Sequence, residues 1–317
     1  MHVHYNIDQL PVISSPVITI GSYDGVHKGH VAILEQLIEK ANEIGGKSVV
    51  ITFHPHPRKI LLNAETPSLL SSFDERIERF AALGIDHLVV VPFDYHFSEL
   101  SATAYIEDFI VHKFNPKMVI IGFDHRYGKG REGDFELLKT MGKQFGFDVQ
   151  EIPEKLLNDS KISSTSIRNA LLEGNIKSAN ALLGYEYTLE GRVVKGDQLG
   201  RTIGFPTANL SITETEKLIP ATGVYAVGVK IKLKTGIINA EGMMNIGYRP
   251  TVNGKERRIE VNIFDFDQDI YEETLSVNIK EYIRKEMKFS GLDALKEQLA
   301  NDRETIRELL RGLRIVE

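Results

Sequence analysis

Two histidines bracket a glycine in the segment Gly21-Ser22-Tyr23-Asp24-Gly25-Val26-His27-Lys28-Gly29-His30. It leaves an apolar run at 17–20 and opens a helical pattern. That places it at the carboxyl end of a strand, where open α/β sheets bind their ligands. A helix N-terminus offers unpaired N–H groups and the positive end of the helix dipole, so a phosphate fits there. Gly29 allows the backbone to approach a nucleotide, and His30 at the helix start faces its phosphates. The alternative is a turn with incidental histidines.

A second loop, Gly122-Phe123-Asp124-His125-Arg126-Tyr127-Gly128-Lys129-Gly130-Arg131-Glu132-Gly133, follows an apolar run at 118–121. Its last three glycines match a dinucleotide fingerprint in spacing, but they lie six residues beyond the strand instead of in its first tight turn. The loop reads instead as a mobile phosphate loop with Arg131 as counter-charge. Ile162-Ser163-Ser164-Thr165-Ser166-Ile167-Arg168 puts hydroxyls at a helix start, where they cap it or hold phosphate. Arg168, a turn later, can clamp a polyphosphate bidentately. Gly46-Lys47-Ser48 resembles the end of a phosphate-binding P-loop, but Ala41 stands where its first glycine belongs, so it reads as a helix stop. His54-Pro55-His56-Pro57 reads as a stiff turn whose histidines line a site or face solvent.

The second half carries Gly200-Arg201-Thr202-Ile203-Gly204-Phe205-Pro206-Thr207-Ala208-Asn209-Leu210. Thr207 and Asn209 are two apart in an extended segment and share a face. Their hard oxygens suit Mg²⁺ and phosphate. Asn245-Ile246-Gly247-Tyr248-Arg249-Pro250-Thr251 reads as a polar turn leaving a strand. Glu260 interrupts an apolar strand at 259–264, so alternation leaves it either facing solvent or poised in a cleft.

The elements that must hold these residues change character along the chain. Continuous apolar runs at 17–20, 48–53, 88–92, 118–121 and 147–152 predict strands covered on both faces. Leu34, Leu37, Ile38 and Ala41 fall on one helical face, ended by Gly45 and Gly46. Ser72 and Glu75 have capping-box spacing, and Asn115-Pro116 closes a further helix. Strand–helix alternation implies a parallel sheet wound on both faces. Beyond Gly184, β-branched stretches at 187–194, 224–233, 237–245, 258–266 and 275–282 predict an antiparallel barrel or sandwich. Leu292, Leu295, Leu299, Ile306 and Leu309 then form one stripe of a terminal helix packed on it. The domain boundary is expected near Leu183, giving 1–183 and 184–317.

The 317 residues suit two domains, with 42% hydrophobic and 26% charged residues. A net charge of −6 without a basic block argues against nucleic-acid binding. The absence of cysteine excludes disulfides, thiolate metal sites and a cysteine nucleophile. A polar N-terminus and the lack of any ~20-residue apolar run give no signal peptide or membrane span, and a cytoplasmic location is expected.

Taken together, these motifs resemble the bacterial bifunctional riboflavin kinase/FMN adenylyltransferase family. The histidine loop, the Gly-x-Asp loop and Ile-Ser-Ser-Thr-x-Ile-Arg occur in its adenylyltransferase half. Gly-Arg-x-x-Gly-Phe-Pro-Thr-Ala-Asn, Gly223-Val224-Tyr225-Ala226 and Asn-x-Gly-x-Arg-Pro-Thr occur in its kinase half. The chain departs at Ser22-Tyr23, where the family usually has Asn-Phe, and at His125, where an aromatic is commoner. The resemblance implies a Rossmann-like nucleotidyltransferase domain followed by a Greek-key barrel with a C-terminal helix. It implies riboflavin, FMN and ATP as small-molecule partners, FMN and FAD as products, and Mg²⁺ as cofactor. Gly21, Tyr23, Asp24, Gly29, His30, Asp124, Arg131, Ser163, Ser164, Thr165 and Arg168 would bind ATP in the first domain. There His27, His30 and Arg168 would bear developing charge. Gly200, Arg201, Gly204, Pro206, Thr207, Asn209, Asn245 and Arg249 would bind ATP or flavin in the second. Thr207, Asn209 and Asp124 would meet Mg²⁺, and Glu260 would be the kinase base. An adenylyltransferase for another phosphate ester and a flavin-binding regulator are the rival readings. The barrel half argues against the first, and the intact His27, His30, Asp124 and Arg168 against the second.

Overall fold

The computed structural model describes residues 1–61, 68–153, 162–196, 198–251 and 254–316. The chain forms two compact units, Met1–Ser164 and Thr165–Glu317.

The first unit is a six-stranded parallel sheet. Its strands are β1 (His2–His4), β2 (Pro16–Ile20), β3 (Lys47–His54), β4 (His87–Pro92), β5 (Met118–Gly122) and β6 (Asp148–Ile152), in the order β1-β4-β3-β2-β5-β6. Successive side chains of a strand point to opposite faces. Ile18, Val49, Ile51 and Val89 enter one core, while Val17, Val50, Leu88 and Val90 enter the other. This double burial is why the inner strands β2 to β5 read as unbroken apolar runs. Helix α1 (Lys28–Glu43) buries Leu34, Leu37 and Ala41. Gly46 follows it because a side chain there would strike the Ser15 carbonyl. Helix α2 (Phe73–Leu83) starts with the complete Ser72/Glu75 capping box. The helical stretch before Asn115 is π-helical over Tyr105–Val111 and ends with Asn115 in the left-handed region. Strand β1 carries only three residues and two histidines, and its polar alternation hid it from the sequence pattern.

Helices α3 (Phe135–Phe145), α4 (Ser164–Leu172) and α5 (Ile176–Leu183) follow. The second unit is a closed antiparallel barrel of β7 (Tyr187–Val194), β8 (Ala208–Ile212), β9 (Gly223–Leu233), β10 (Gly236–Thr251), β11 (Gly254–Ile263) and β12 (Thr274–Arg284). The expected polar turn at 245–251 is the second half of β10. Its residues pair with β11, Gly247 opposite Arg258 and Arg249 opposite Glu256. Polar side chains there obscured strand character because half of them face outward. Helix α6 (Leu292–Val316) lies on the outer barrel face, where Ile306 and Leu310 meet Phe205, Val224, Ala226, Met243 and Phe264. The predicted stripe is rotated slightly: Leu310 is buried, Leu309 partly so, and Leu292 is exposed.

Residues 165–183 group with the barrel. Asn180 donates through Nδ2 to the Ile279 carbonyl and accepts from the Tyr187 N–H, and the Ala221 N–H donates to the Leu171 carbonyl. Contacts therefore divide the chain after Ser164, upstream of the boundary expected at Leu183.

Candidate active sites

In the parallel sheet, connections run one way from β2 through β3 to β4 and the other way from β5 to β6. The strand order reverses between β2 and β5, and such sheets bind ligands outside the carboxyl ends of the strands at that reversal. The histidine loop leaves β2 there and the Gly122–Gly133 loop leaves β5 there.

The histidine loop is braced from beneath. His27 caps α1, its Nδ1 accepting from the His30 N–H at 3.3 Å. A neutral imidazole has one donor and one acceptor, so this cap leaves the His27 proton on Nε2. The His30 ring stacks on His27 with centroids 3.6 Å apart and meets Tyr23 edge-on at 5.1 Å. Burial, then His27 and Arg76, push the His30 pKa well below its ordinary value. The His30 ring is thus held neutral rather than cationic. A side chain at Gly29 would press on the His27 ring at 3.3 Å.

Tyr23 and Asp24, expected against phosphate, lie under the loop instead. Tyr23 is buried, its hydroxyl bonded to Thr19 Oγ1 at 2.7 Å. The Asp24 carboxylate is buried and accepts from the Leu70 N–H at 2.8 Å and the Ser71 N–H at 3.3 Å. A carboxylate aimed at phosphate would repel it, whereas here its charge fastens the loop to the segment before α2. Ser164 Oγ donates to the Asp24 carbonyl, and Gly21 N–H donates to the Ile51 carbonyl. Arg76 was not legible in the sequence: it is buried on α2 and donates to the Ser22 carbonyl at 2.7 Å. Nothing in the spacing of α2 separates it from a solvated arginine.

The β5 loop holds Asp124 exposed, its Oδ1 3.6 Å from a side-chain position on Gly122. Burial pushes the neighbouring His125 down to about 4, and its ring stacks on Tyr127. Gly128 and Gly133 are packing residues. Gly128 has a φ of 74° and touches the Ala102 backbone, and a side chain on Gly133 would enter the Tyr127 ring. A Tyr127–Gly133 bridge closes the loop on itself. Arg131 is exposed at its tip. Ser163 and Ser164 close the first unit. Thr165 and Arg168 lie on α4 and group with the second.

The barrel carries a cleft of about 640 Å³ on its outer face, beside α6. Glu260 is in register with Asn209 of β8 on one side and Asn245 of β10 on the other. Directly paired residues share a face with their Cβ atoms ~5 Å apart, so the three form a polar row. Asn245, Arg249, Glu260, Thr207 and Gly200 line this cleft. Arg201, Pro206 and Thr207 line a neighbouring hollow of about 410 Å³, so Thr207 stands between the two. The Gly200–Pro206 segment is a helical turn followed by Gly204 at φ 82°. Asn262, two residues from Glu260, was missed, although alternation places it on the same face. Its Nδ2 donates to the Pro206 carbonyl at 2.7 Å and fixes the extended segment that carries Thr207 into β8. The Asn209 amide packs over Gly196, its Cγ 2.5 Å from where a side chain would begin. Among the described residues no group of three or more His, Cys, Asp or Glu side chains is set to hold a metal. A site of hydroxyl and amide oxygens fits Mg²⁺ that arrives with nucleotide phosphate, because this ion keeps several non-protein ligands.

Comparison with known proteins covers both units. The FAD synthetase family model matches residues 11–166, and the riboflavin kinase model matches 183–310. A bifunctional riboflavin kinase/FMN adenylyltransferase of Escherichia coli strain K12 is 40% identical over 304 residues, 96% of this chain and 95% of its own. The Bacillus subtilis protein of the same description is 38% identical over 312 residues, 96% of this chain and 94% of its own. A Streptococcus pneumoniae crystal structure titled a macrolide-efflux protein superposes with a TM-score of 0.85 at 34% identity, covering 96% of this chain and 98% of that one. Among the described residues, no helix of this chain is long and apolar enough to cross a membrane.

Proposed function

The chain belongs to the bifunctional riboflavin kinase/FMN adenylyltransferase family, and from that premise we propose how its residues divide the work. It phosphorylates riboflavin to FMN with ATP, and adenylylates FMN to FAD with ATP, releasing pyrophosphate.

In the barrel, Glu260 accepts the proton of the ribityl hydroxyl as the γ-phosphoryl transfers. The observation that carries this is the Asn209–Glu260–Asn245 row, which sets a carboxylate between two amides on a cleft wall. A positioned general base contributes ~10²–10⁴ to such a step. Thr207 and Asn209 would hold Mg²⁺, which when bound neutralises charge on the transferring phosphoryl group. Arg201 and Arg249, both exposed, are placed to meet nucleotide phosphate or flavin.

In the first unit the FMN phosphate is already an anion and needs no base. Catalysis there is alignment of two phosphates and stabilisation of charge. The stacked His27 and His30 donate N–H bonds to the α-phosphate and the departing pyrophosphate. Tyr23, Asp24 and Arg76 hold that pair in place. Arg131 supplies positive charge, the Ser163 hydroxyl binds phosphate, and Asp124 is the carboxylate available to Mg²⁺.

Incubating the chain with riboflavin, ATP and Mg²⁺ and resolving the flavins tests the reading. FMN appears first and FAD follows. Tight flavin binding without either product overturns it.

A further inference from the structure

The kinase cleft holds a second carboxylate. Glu286 follows β12 and lines the same cavity as Glu260 and Asn245. Its place is tied to Gly247 of β10. Gly247 is buried and its backbone lies outside the left-handed region, so conformational freedom does not explain a glycine there. Space does. A side chain beginning at Gly247 would collide with the Glu286 carboxylate, 2.9 Å from its Cδ, and would stand 3.2 Å from Asn245 Nδ2. The volume opposite Gly247 is thus filled by the Glu286 carboxylate and the Asn245 amide, and Asn245 is the register partner of Glu260.

The charge of Glu286 is not spent on the protein. Arg284, two residues earlier, is committed to Asp302 through Nε and Nη2. Among the described residues no hydrogen bond or ion pair holds the Glu286 carboxylate. An ionised carboxylate only accepts hydrogen bonds, and it repels the phosphates of ATP. Its counterpart in this cleft is therefore a neutral donor. The other wall offers Met243, Phe289, Leu295 and Leu299, an apolar surface suited to a flat ring. Hydroxyl donors belong at the polar end, beside Asn245 and Glu260.

We infer that Glu286 recognises the polyol of the acceptor, accepting hydrogen bonds from ribityl hydroxyls next to the one that is phosphorylated, and that Gly247 is bare to admit it. This rests on the assignment of the cleft to riboflavin. The test uses the full chain with Glu286→Ala, Gly247→Ala and the double variant. The readouts are the KM for riboflavin and the inhibition constant of lumiflavin, which keeps the ring and lacks the polyol, both in FMN formation. FAD formation from supplied FMN reports on the rest of the chain. Each single variant raises the riboflavin KM about tenfold, the loss of one charge-assisted hydrogen bond. Their kcat stays within about threefold, as for lost ground-state binding. Lumiflavin inhibition stays within about twofold, and the double variant matches the singles. An unchanged KM in Glu286→Ala, an equal loss for lumiflavin, or multiplying effects in the double variant overturns the inference. If Gly247→Ala fails to fold, Glu286→Ala against the two flavins decides it. A wild-type chain that makes no FMN from riboflavin would instead refute the assignment of the cleft.

Discussion

At the scale of residues, the histidine pair shows how environment rewrites a motif. The sequence identified His27 and His30 and their place at a helix start, because glycine spacing at a strand end is local. It gave no means to find Arg76, whose burial depends on tertiary packing, or to see that Tyr23 and Asp24 support the loop from below. Nor could alternation alone decide Glu260: its neighbours Asn209 and Asn245 come from other strands. A neutral His30 carries a consequence for acid stability. The folded pKa of His30 lies below the ordinary imidazole value of ~6.5, so below that pH the folded chain binds fewer protons than the unfolded one. The stability is fully present above ~6.5 and is lost as pH falls toward the folded value. His30→Gln removes this proton uptake. Urea unfolding at pH 7.5 and pH 5 is expected to show a smaller acid loss for His30→Gln than for the unaltered chain. An equal or larger loss means that His30 is already charged in the folded state.

At the scale of elements, the four inner strands of the sheet, β2 to β5, were legible because burial on both faces leaves an unbroken apolar signature, and α1 and α2 because their caps are local. The far half of β10 was not, since a strand with one outward polar face and glycine at 247 imitates a turn. The terminal helix was legible as amphipathic, but not what fastens it. That is the pair of Arg284 on β12 and Asp302 on α6, bonded at 2.6 Å with the Asp302 side chain 2% exposed. Gln298 donates to the same carboxylate. Removing one partner of a fully buried pair costs about 3–5 kcal/mol. Arg284 retains 18% exposure, so Asp302→Ala is expected to cost about 3 kcal/mol, the lower end of that range. The readout is chemical denaturation of the barrel unit. Kinase activity should fall as well, because Leu295 and Leu299 of the helix line the cleft. A loss under 1 kcal/mol, the value of an exposed ion pair, would mean that the helix is held by its apolar stripe alone.

At the scale of the whole molecule, two sets of motifs on one chain meant two domains, and the change from strand–helix alternation to unbroken strands marked where the architecture changes. The sequence reading placed 165–183 with the first half, which is helical like it, whereas the segment bonds to β7, β12 and the segment before β9. A fragment of residues 165–317 is therefore expected to fold, to melt at a higher temperature than one of 184–317, and to make FMN but no FAD. Equal melting temperatures would return these helices to the first domain. The central claim is that one chain runs two reactions at two sites with separate residues. The most direct test is the flavin product profile of Glu260→Gln and His30→Ala in the full chain, each supplied in turn with riboflavin and with FMN, together with ATP and Mg²⁺. Glu260→Gln should lose about 10²–10⁴ in FMN formation yet convert supplied FMN to FAD normally. His30→Ala should accumulate FMN at the normal rate and lose about 10²–10³ in FAD formation. If either substitution slows both reactions alike, or if Glu260→Gln lowers the kinase less than about tenfold, the division of labour described above is wrong.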